Sequence, residues 1–366
     1  MMTFRRPTAR FLFLSFLLLS AVVTYMGISY IGHELSSQER VIGASAGNQV
    51  EKENGESLAE AEEEQSRRLA TFKAYCEKNN SMVDPSQARL DKHLFVFENI
   101  KTVYCYVPKC ACKTMKLLLY NLENNKTARL MNVNRAQFLA NISNYSANDH
   151  HSGWIHGQHF KRLTHYSKEE ASMLVATYKK IIVVRDPLER LASAWLNKFV
   201  NMPAHVGNFG WVKGLNNRLR NYQDLNPTDK VSELKEEREL DAKQPVPFRK
   251  FLFAVSKHLM ENEHWLSFNR LCLPCQVDYD FIAHTDTLAS DVRLFLKKNN
   301  MTANEDVLPA QLPRNANEDN VFSDIYSQVP TEEILSLRET FQEDFNMFGY
   351  SFEQDLAKIL TGKAMG

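Results

Sequence analysis

The sequence predicts an α/β protein: a domain built on a central, mainly parallel sheet, preceded by an N-terminal transmembrane helix and a stem. Three short apolar runs, His93–Phe97, Thr102–Val107 and Lys180–Val184, are rich in β-branched and aromatic residues and bounded by polar segments, as buried strands are. Helical patterns over Lys113–Leu122 and Glu189–Phe199 open directly after the second and third runs, giving strand–loop–helix units. Residues Phe11 to Ile31 form 21 consecutive positions without a charge, and a helix of that length crosses a hydrocarbon core of roughly 30 Å.

Arg5, Arg6 and Arg10 precede the apolar run, whereas Glu34 and Glu39 outweigh the single Arg40 after it, so the charge bias keeps the N-terminus cytosolic. Residues 1–10 then form a cytosolic tail, 11–31 a signal anchor, 32–90 a lumenal stem and 91–366 a lumenal domain. A cleaved signal peptide is the competing reading, because Ala44-Ser45-Ala46 has a small–x–small pattern. That pattern lies well beyond the apolar run, which exceeds the usual h-region of roughly 7–15 residues. The stem is acidic over Glu51–Ser66 and poor in aromatics, a composition that cannot bury enough apolar surface to fold alone. A short solvated helix over Leu58–Leu69 would serve as the same spacer.

Within the domain, Asn201 to Gln244 is polar and uneven, with Lys213, Arg218 and Arg220 ahead of a mixed-charge run over Lys230–Lys243, and reads as a surface insertion or lid. Helical patterns resume at Pro247–Leu259, Leu288–Lys298 and Thr331–Phe345. Lys plus Arg (44) equals Asp plus Glu (44), so nothing in the bulk charge points to nucleic acid, and any anion site must be local. Five N-x-S/T sequons, at Asn79, Asn125, Asn141, Asn144 and Asn300, suit a lumenal glycoprotein. Six cysteines in an oxidising lumen are disulfide candidates, with 15 full pairings among which the sequence does not choose.

Two segments carry the chemistry. The first is Tyr106-Val-Pro-Lys-Cys-Ala-Cys-Lys-Thr-Met-Lys116, a strand end, a tight loop of small residues and a helix start. Backbone N–H groups converge on an anion at such a junction, aided by the helix dipole, and Lys109 adds a mobile charge. The pattern G-x-x-x-x-G-K-[ST] is absent, so this is not an ordinary ATP or GTP loop, and a purely structural strand–turn–helix fits the spacing as well. The second is Val183-Val-Arg-Asp-Pro-Leu-Glu-Arg-Leu-Ala-Ser193, with Arg185 at a strand end, Pro187 in the first turn of a helix and Ser193 about two turns on. A guanidinium and a hydroxyl so spaced can grip one phosphate; a helix start whose Arg185, Asp186, Glu189 and Arg190 form surface ion pairs also fits.

Taken together, Val-Pro-Lys-x-Ala-Cys and Val-Arg-Asp-Pro-Leu-Glu-Arg-Leu-x-Ser-Ala resemble the phosphate-handling segments of the Golgi carbohydrate sulfotransferases, which include chondroitin 4-O-, dermatan 4-O- and glucuronyl 3-O-sulfotransferases. Glu263-His-Trp265, Leu271-Cys-Leu-Pro-Cys275 with Tyr279-Asp-Phe281, and the ending Phe341–Tyr350 are similar to later blocks of that family, in the same order over about residues 100 to 353. The resemblance implies a P-loop-like three-layer domain, 3′-phosphoadenosine 5′-phosphosulfate (PAPS) as sulfate donor, no metal, and a type II Golgi membrane protein. It implies that Pro108, Lys109, Cys110, Ala111, Cys112, Lys113 and Thr114 take the 5′-phosphosulfate, with Lys109 on the bridging oxygen, and that Arg185 and Ser193, with Asp186 and Arg190 of the same segment, hold the 3′-phosphate. Cys110 stands where the family usually has Val, and Lys113-Thr-Met115 where it usually has Thr-Asn-Trp. Main-chain contacts survive such changes; side-chain contacts at Lys113 and Thr114 are the ones they put in question.

The acceptor implied is a glycosaminoglycan or glycoprotein glycan, first of all position 4 of GalNAc in chondroitin- or dermatan-type chains. Glucuronyl 3-O-transfer, transfer to N-glycan GalNAc and a non-catalytic lumenal binding protein are the alternatives. A sugar hydroxyl needs its proton removed, and histidine titrates in the right range. His156, in Trp154-Ile-His-Gly-Gln-His159, is the foremost candidate, ahead of His159 and His264. His150, His151, His156, Cys110, Cys112 and the Cys272-x-x-Cys275 pair offer zinc ligand types, but one C-x-x-C in an oxidising lumen argues for no metal. Lys161, Arg162, Lys213, Arg218, Arg220, Arg249 and Lys250 either line an acceptor groove or are solvated, and self-association stays open.

Overall fold

The computed structural model describes residues 58–79, 92–200, 206–225, 246–309 and 316–365. The expected tail, anchor and most of the stem lie outside them, as does most of the expected lid; among the described residues no helix is long and apolar enough to cross a membrane.

The chain enters as helix α1 (residues 58–79). It continues through β1 (Leu94–Phe97), β2 (Thr102–Cys105), α2 (Cys112–Asn124), β3 (Arg129–Met131), α3 (Arg135–Ala140), β4 (Asp149–His151), α4 (Lys168–Thr177), β5 (Lys179–Val184) and α5 (Pro187–Trp195). The remaining elements are α6 (Val206–Leu225), α7 (Phe248–Ser256), α8 (Phe268–Cys272), α9 (Pro274–Val277), β6 (Phe281–His284), α10 (Leu288–Lys298), α11 (Ala316–Ser327), α12 (Thr331–Phe348) and α13 (Phe352–Met365).

The main sheet has the order β1-β2-β5-β6. β1 and β2 form an antiparallel hairpin, whereas β2–β5 and β5–β6 pair in parallel. The mainly parallel α/β expectation therefore holds, with all three predicted strands in place. β1, β2 and β6 are buried throughout and β5 from Lys180 onward, which explains why they read as apolar runs without alternation. The ends of β2 and β5 lie side by side, since Cys105 pairs with Ile182. The loops that follow them, into α2 and α5, consequently open at one edge of the sheet, where ligands bind in open α/β folds. α5 packs through Leu188, Leu191 and Ala194 into a core shared with Phe251 of α7, Tyr326 of α11 and Phe341 of α12.

The N-terminal boundary differs from expectation. Compactness begins at Ala61, not at residue 91, so part of the expected stem is folded onto the domain. α1 buries Phe72 parallel to Phe348, with ring centroids 6.4 Å apart. Arg68 reaches Asp291 Oδ2 at 2.8 Å and Thr287 Oγ1 at 2.9 Å, and Cys76 is bonded to Cys275. The alternative helix over Leu58–Leu69 is thus present and longer, and what the composition concealed is its attachment through Phe72, Arg68 and Cys76. A second disulfide joins Cys105 of β2 to Cys272. Cys110 and Cys112 remain thiols.

Candidate active site

The β2–α2 loop begins where Tyr106 N donates to His93 O at 2.9 Å, closing the hairpin. Two of its residues, Lys109 (φ 71°) and Ala111 (φ 48°), adopt the left-handed conformation usually left to glycine. Ala111 caps α2 without any side-chain hydrogen bond, so the first N–H groups of that helix are held by no capping side chain. A left-handed bend at the head of a 13-residue helix makes a concave nest of main-chain donors, and it is built here without a single glycine. Cys110 lies beneath, fully buried, its thiol pushed up to about 12 by that burial.

α5 supplies the opposite wall. Asp186 is its cap, accepting from Leu188 N at 2.9 Å and Glu189 N at 3.0 Å, and is buried against Asp355 rather than turned to the cleft. After Trp195 the helix widens into a π turn over Leu196–Val200, a distortion that recurs at functional sites. It brings Asn197 and Lys198 alongside Ser193.

Between the two walls is a cavity of about 530 Å³. It gathers Pro108, Lys109, Ala111, Cys112, Lys113, Thr114, His156 and Ser193 of the expected set, and adds Tyr106, Asn197, Lys198, Glu263 and His264. Arg185 is not among the lining residues; its Nε lies 3.2 Å from Glu189 Oε2. Arg190 takes a different part from the expected one. It is 2% exposed and donates to Pro108 O (3.2 Å), Leu266 O (2.6 Å) and Glu263 O (2.8 Å), with Phe268 beneath its guanidinium. Those contacts use its donors to tie the loop, α5 and the 263–266 turn into one frame, and leave it no face toward a ligand.

Charge in the cavity is positive and poorly hydrated. Burial lowers Lys109 to about 8, with Arg185, Lys198 and Lys113 adding repulsion, and burial lowers Lys198 as well. His156 sits on a 3₁₀ turn, Trp154–Gly157, anchored by the buried Ile155. The residue is exposed overall, but the desolvated side of its ring and the neighbouring Lys116, Lys113 and Lys198 ammonium groups push it down to about 4. Its Nδ1 lies 3.5 Å from Lys116 Nζ, and that ammonium stands 3.7 Å from the centre of the Tyr106 ring. His264 is held at about 3, first by burial and then by Lys198, Lys109, Arg190 and His156. A bound anion would offset this repulsion and raise these lysines again.

The other candidates lie elsewhere. His150 stacks on Trp154 at 3.9 Å, and His159 is exposed outside the cavity. Arg249 makes a paired contact with Glu333, Lys161 bonds to Glu98, Arg218 donates to Leu259 O at 2.6 Å, and Lys250 is buried. Among the described residues no group of three or more His, Cys, Asp or Glu side chains is placed to hold a metal ion. Asn125, Asn141, Asn144 and Asn300 are exposed, whereas Asn79 donates to Tyr75 O at 2.8 Å inside α1.

The match to known families decides the class, because residues 92–351 fit the sulfotransferase family. The chain belongs to the sulfotransferase family. This sulfotransferase is 28% identical over 265 residues to carbohydrate sulfotransferase 11 of Rattus norvegicus, covering 71% of this chain and 67% of that one. It is 28% identical over 287 residues to carbohydrate sulfotransferase 12 of Xenopus laevis (77% and 65%), and 24% identical over 330 residues to carbohydrate sulfotransferase 10 of Rattus norvegicus (85% and 84%). No solved structure matches it. Family membership implies PAPS as the sulfate donor. The sulfotransferase match starts at residue 92, so α1 with Cys76 lies outside it and is bonded to Cys275 within it.

Proposed function

We propose that this sulfotransferase transfers the sulfuryl group of PAPS to a carbohydrate hydroxyl, most specifically position 4 of GalNAc in chondroitin- or dermatan-type chains. The observation that carries the donor half is the left-handed Lys109–Ala111 loop at the head of α2, opposite Ser193 and Lys198 across one cavity. PAPS supplies a sulfuryl group already activated by its bond to a phosphate oxygen. The main-chain donors of the loop hold the 5′ end, and Lys109 neutralises the oxygen on which charge develops as that bond breaks. Ser193 and Arg185 take the 3′-phosphate, Arg185 by exchanging its contact with Glu189 for the phosphate. Two histidines, His156 and His264, reach the same cavity, and removal of the acceptor proton falls to one of them.

The carbohydrate half rests on the names of the relatives and on the motif order shared with Golgi enzymes of this kind. A lumenal address is favoured by the disulfides Cys76–Cys275 and Cys105–Cys272, which persist in an oxidising compartment. The uncharged run Phe11–Ile31 with its Arg flank makes the chain a type II Golgi membrane protein in this reading.

The test is to incubate the full chain with radiolabelled PAPS and separate panels of desulfated chondroitin, dermatan, heparosan and N-glycan acceptors, then map the label by disaccharide analysis. Label at position 4 of GalNAc is the expected result, and Lys109→Ala should lower that rate about 10²–10³-fold. Label confined to a glucuronic acid 3-hydroxyl or to N-glycans would reassign the acceptor. PAPS binding without transfer to any panel would leave a binding protein in place of an enzyme acting on glycans.

A further inference from the structure

The two cavity histidines are held in opposite tautomers, and the difference decides which can accept a proton. His264 Nδ1 lies 2.6 Å from Asn262 Oδ1. That atom is fixed as the amide oxygen by a second contact, because the backbone N–H of His264 donates to it at 3.1 Å. An amide oxygen only accepts, so Nδ1 carries the hydrogen and Nε2, across the ring, carries the lone pair. The 262–266 turn that presents this pair is rigid: Asn262 O accepts from Trp265 N (3.0 Å) and Leu266 N (2.9 Å), and Arg190 clamps Glu263 O and Leu266 O. At His156 the relation is reversed. Lys116 Nζ faces Nδ1 at 3.5 Å and is ringed by Tyr106, Phe95 and Phe160, whose π faces favour its charged form. An ammonium only donates, so Nδ1 of His156 accepts and its hydrogen sits on Nε2.

We infer that His264 is the proton acceptor of the transfer, with Asn262 as the positioning residue that fixes its tautomer, and that His156 is a hydrogen-bond donor to the anionic reactant. The assignment rests on the donor and acceptor reading of this cavity proposed above. In the step itself the acceptor hydroxyl gives its proton to His264 Nε2 as its oxygen lone pair forms the new bond to sulfur. The electron pair of the broken bond stays on the phosphate oxygen beside Lys109, and the imidazolium later returns its proton to water. Burial first, and then Lys198, Lys109, Arg190 and His156, lower the basicity of His264, and the negative charge of a bound donor would offset those charges when a proton must be taken up.

The first measurement needs no acceptor. In the full chain carrying ¹⁵N-labelled histidine, with His264→Ala and His156→Ala used for assignment, the ring signals should show hydrogen on Nδ1 of His264 and on Nε2 of His156. The reverse pattern overturns the inference. The second compares glutamine variants, because Gln keeps an N–H donor but cannot act as a base. His264→Gln should lose about 10²–10⁴-fold in turnover with binding of adenosine 3′,5′-bisphosphate intact, whereas His156→Gln, which removes a donor's ring but keeps an N–H, should lose at least tenfold less. Equal losses, or the opposite order, sink the assignment. Asn262→Asp should move the acidic limb of the kcat–pH profile upward by about one pH unit, since a carboxylate stabilises the imidazolium. A structural role for Asn262 would leave that limb in place. If the unmodified chain fails to bind the bisphosphate at all, the reading of the cavity falls, and this inference with it.

Discussion

Arg190 Nε donates to the carbonyl of Pro108 at 3.2 Å, so the helix that carries Ser193 also holds the loop that carries Lys109. The two segments proposed to hold the donor's phosphates are thus parts of one frame, with the 263–266 turn as its third side.

Replacing Arg190 should therefore cost fold and function together. Arg190→Ala leaves three carbonyls without their donor, and a loss of about 3–5 kcal/mol is expected from urea denaturation. Arg190→Lys, unable to reach three acceptors from a point charge, should recover only part of it.

α1 should be worth as much as an element of the domain. The double substitution Cys76→Ser with Cys275→Ser opens a link across 199 residues while leaving Cys105–Cys272 closed. A loss of about 2–5 kcal/mol in non-reducing urea melts is expected, and peptide mapping without reductant should recover the pairs Cys76–Cys275 and Cys105–Cys272.

The loop backbone can be tested at Ala111, whose left-handed conformation costs roughly 1–2 kcal/mol in an L-residue. Ala111→Gly should raise the melting temperature slightly and keep affinity for adenosine 3′,5′-bisphosphate. Ala111→Val, β-branched at φ 48°, should weaken that affinity at least tenfold by calorimetry. Wild-type affinity in Ala111→Val would show that the anion is not held by this backbone.

Asp186 and Asp355 make stability depend on pH. Burial raises both carboxyls above their usual range, and Asp355 raises Asp186 further while their shared hydrogen bond pulls Asp355 back down, so the native pair keeps a proton that the unfolded chain releases. Stability from this source is complete below about pH 4 and declines as pH rises through the folded range. Asp355→Asn should flatten that decline, making the variant the more stable protein at pH 7.5 but not at pH 4 in paired urea melts.

Much of this was legible in the sequence. The apolar runs at His93, Thr102 and Lys180 are strands, and the loops after the last two form the site, because burial on both faces and a tight turn into a helix leave a strong local imprint. Leu288–Lys298 even ends where its pattern does. What escaped depended on distant partners. Arg190 looks like a ligand-binding arginine until its three carbonyls, all more than seventy residues away, are in view. Lys116 closed the quoted loop motif and drew no attention, since only the folded chain puts Tyr106 and His156 around it. Lys198 follows Ser193 by five residues, a spacing that a regular α-helix would turn away and that the π turn brings back. The disulfide pairing could not be chosen from six cysteines alone.

The segment Cys272–Cys275 receives both disulfides, one from α1 and one from β2. Synthesis runs from the N-terminus, so Cys76 and Cys105 emerge long before either partner exists. From the emergence of Cys112 until Cys272 is made, the chain carries these two thiols unpaired beside Cys110 and Cys112, and a premature bond among the four would trap the β2–α2 loop in a wrong closure. Correct maturation of this enzyme therefore depends on a compartment that can exchange disulfides as well as form them.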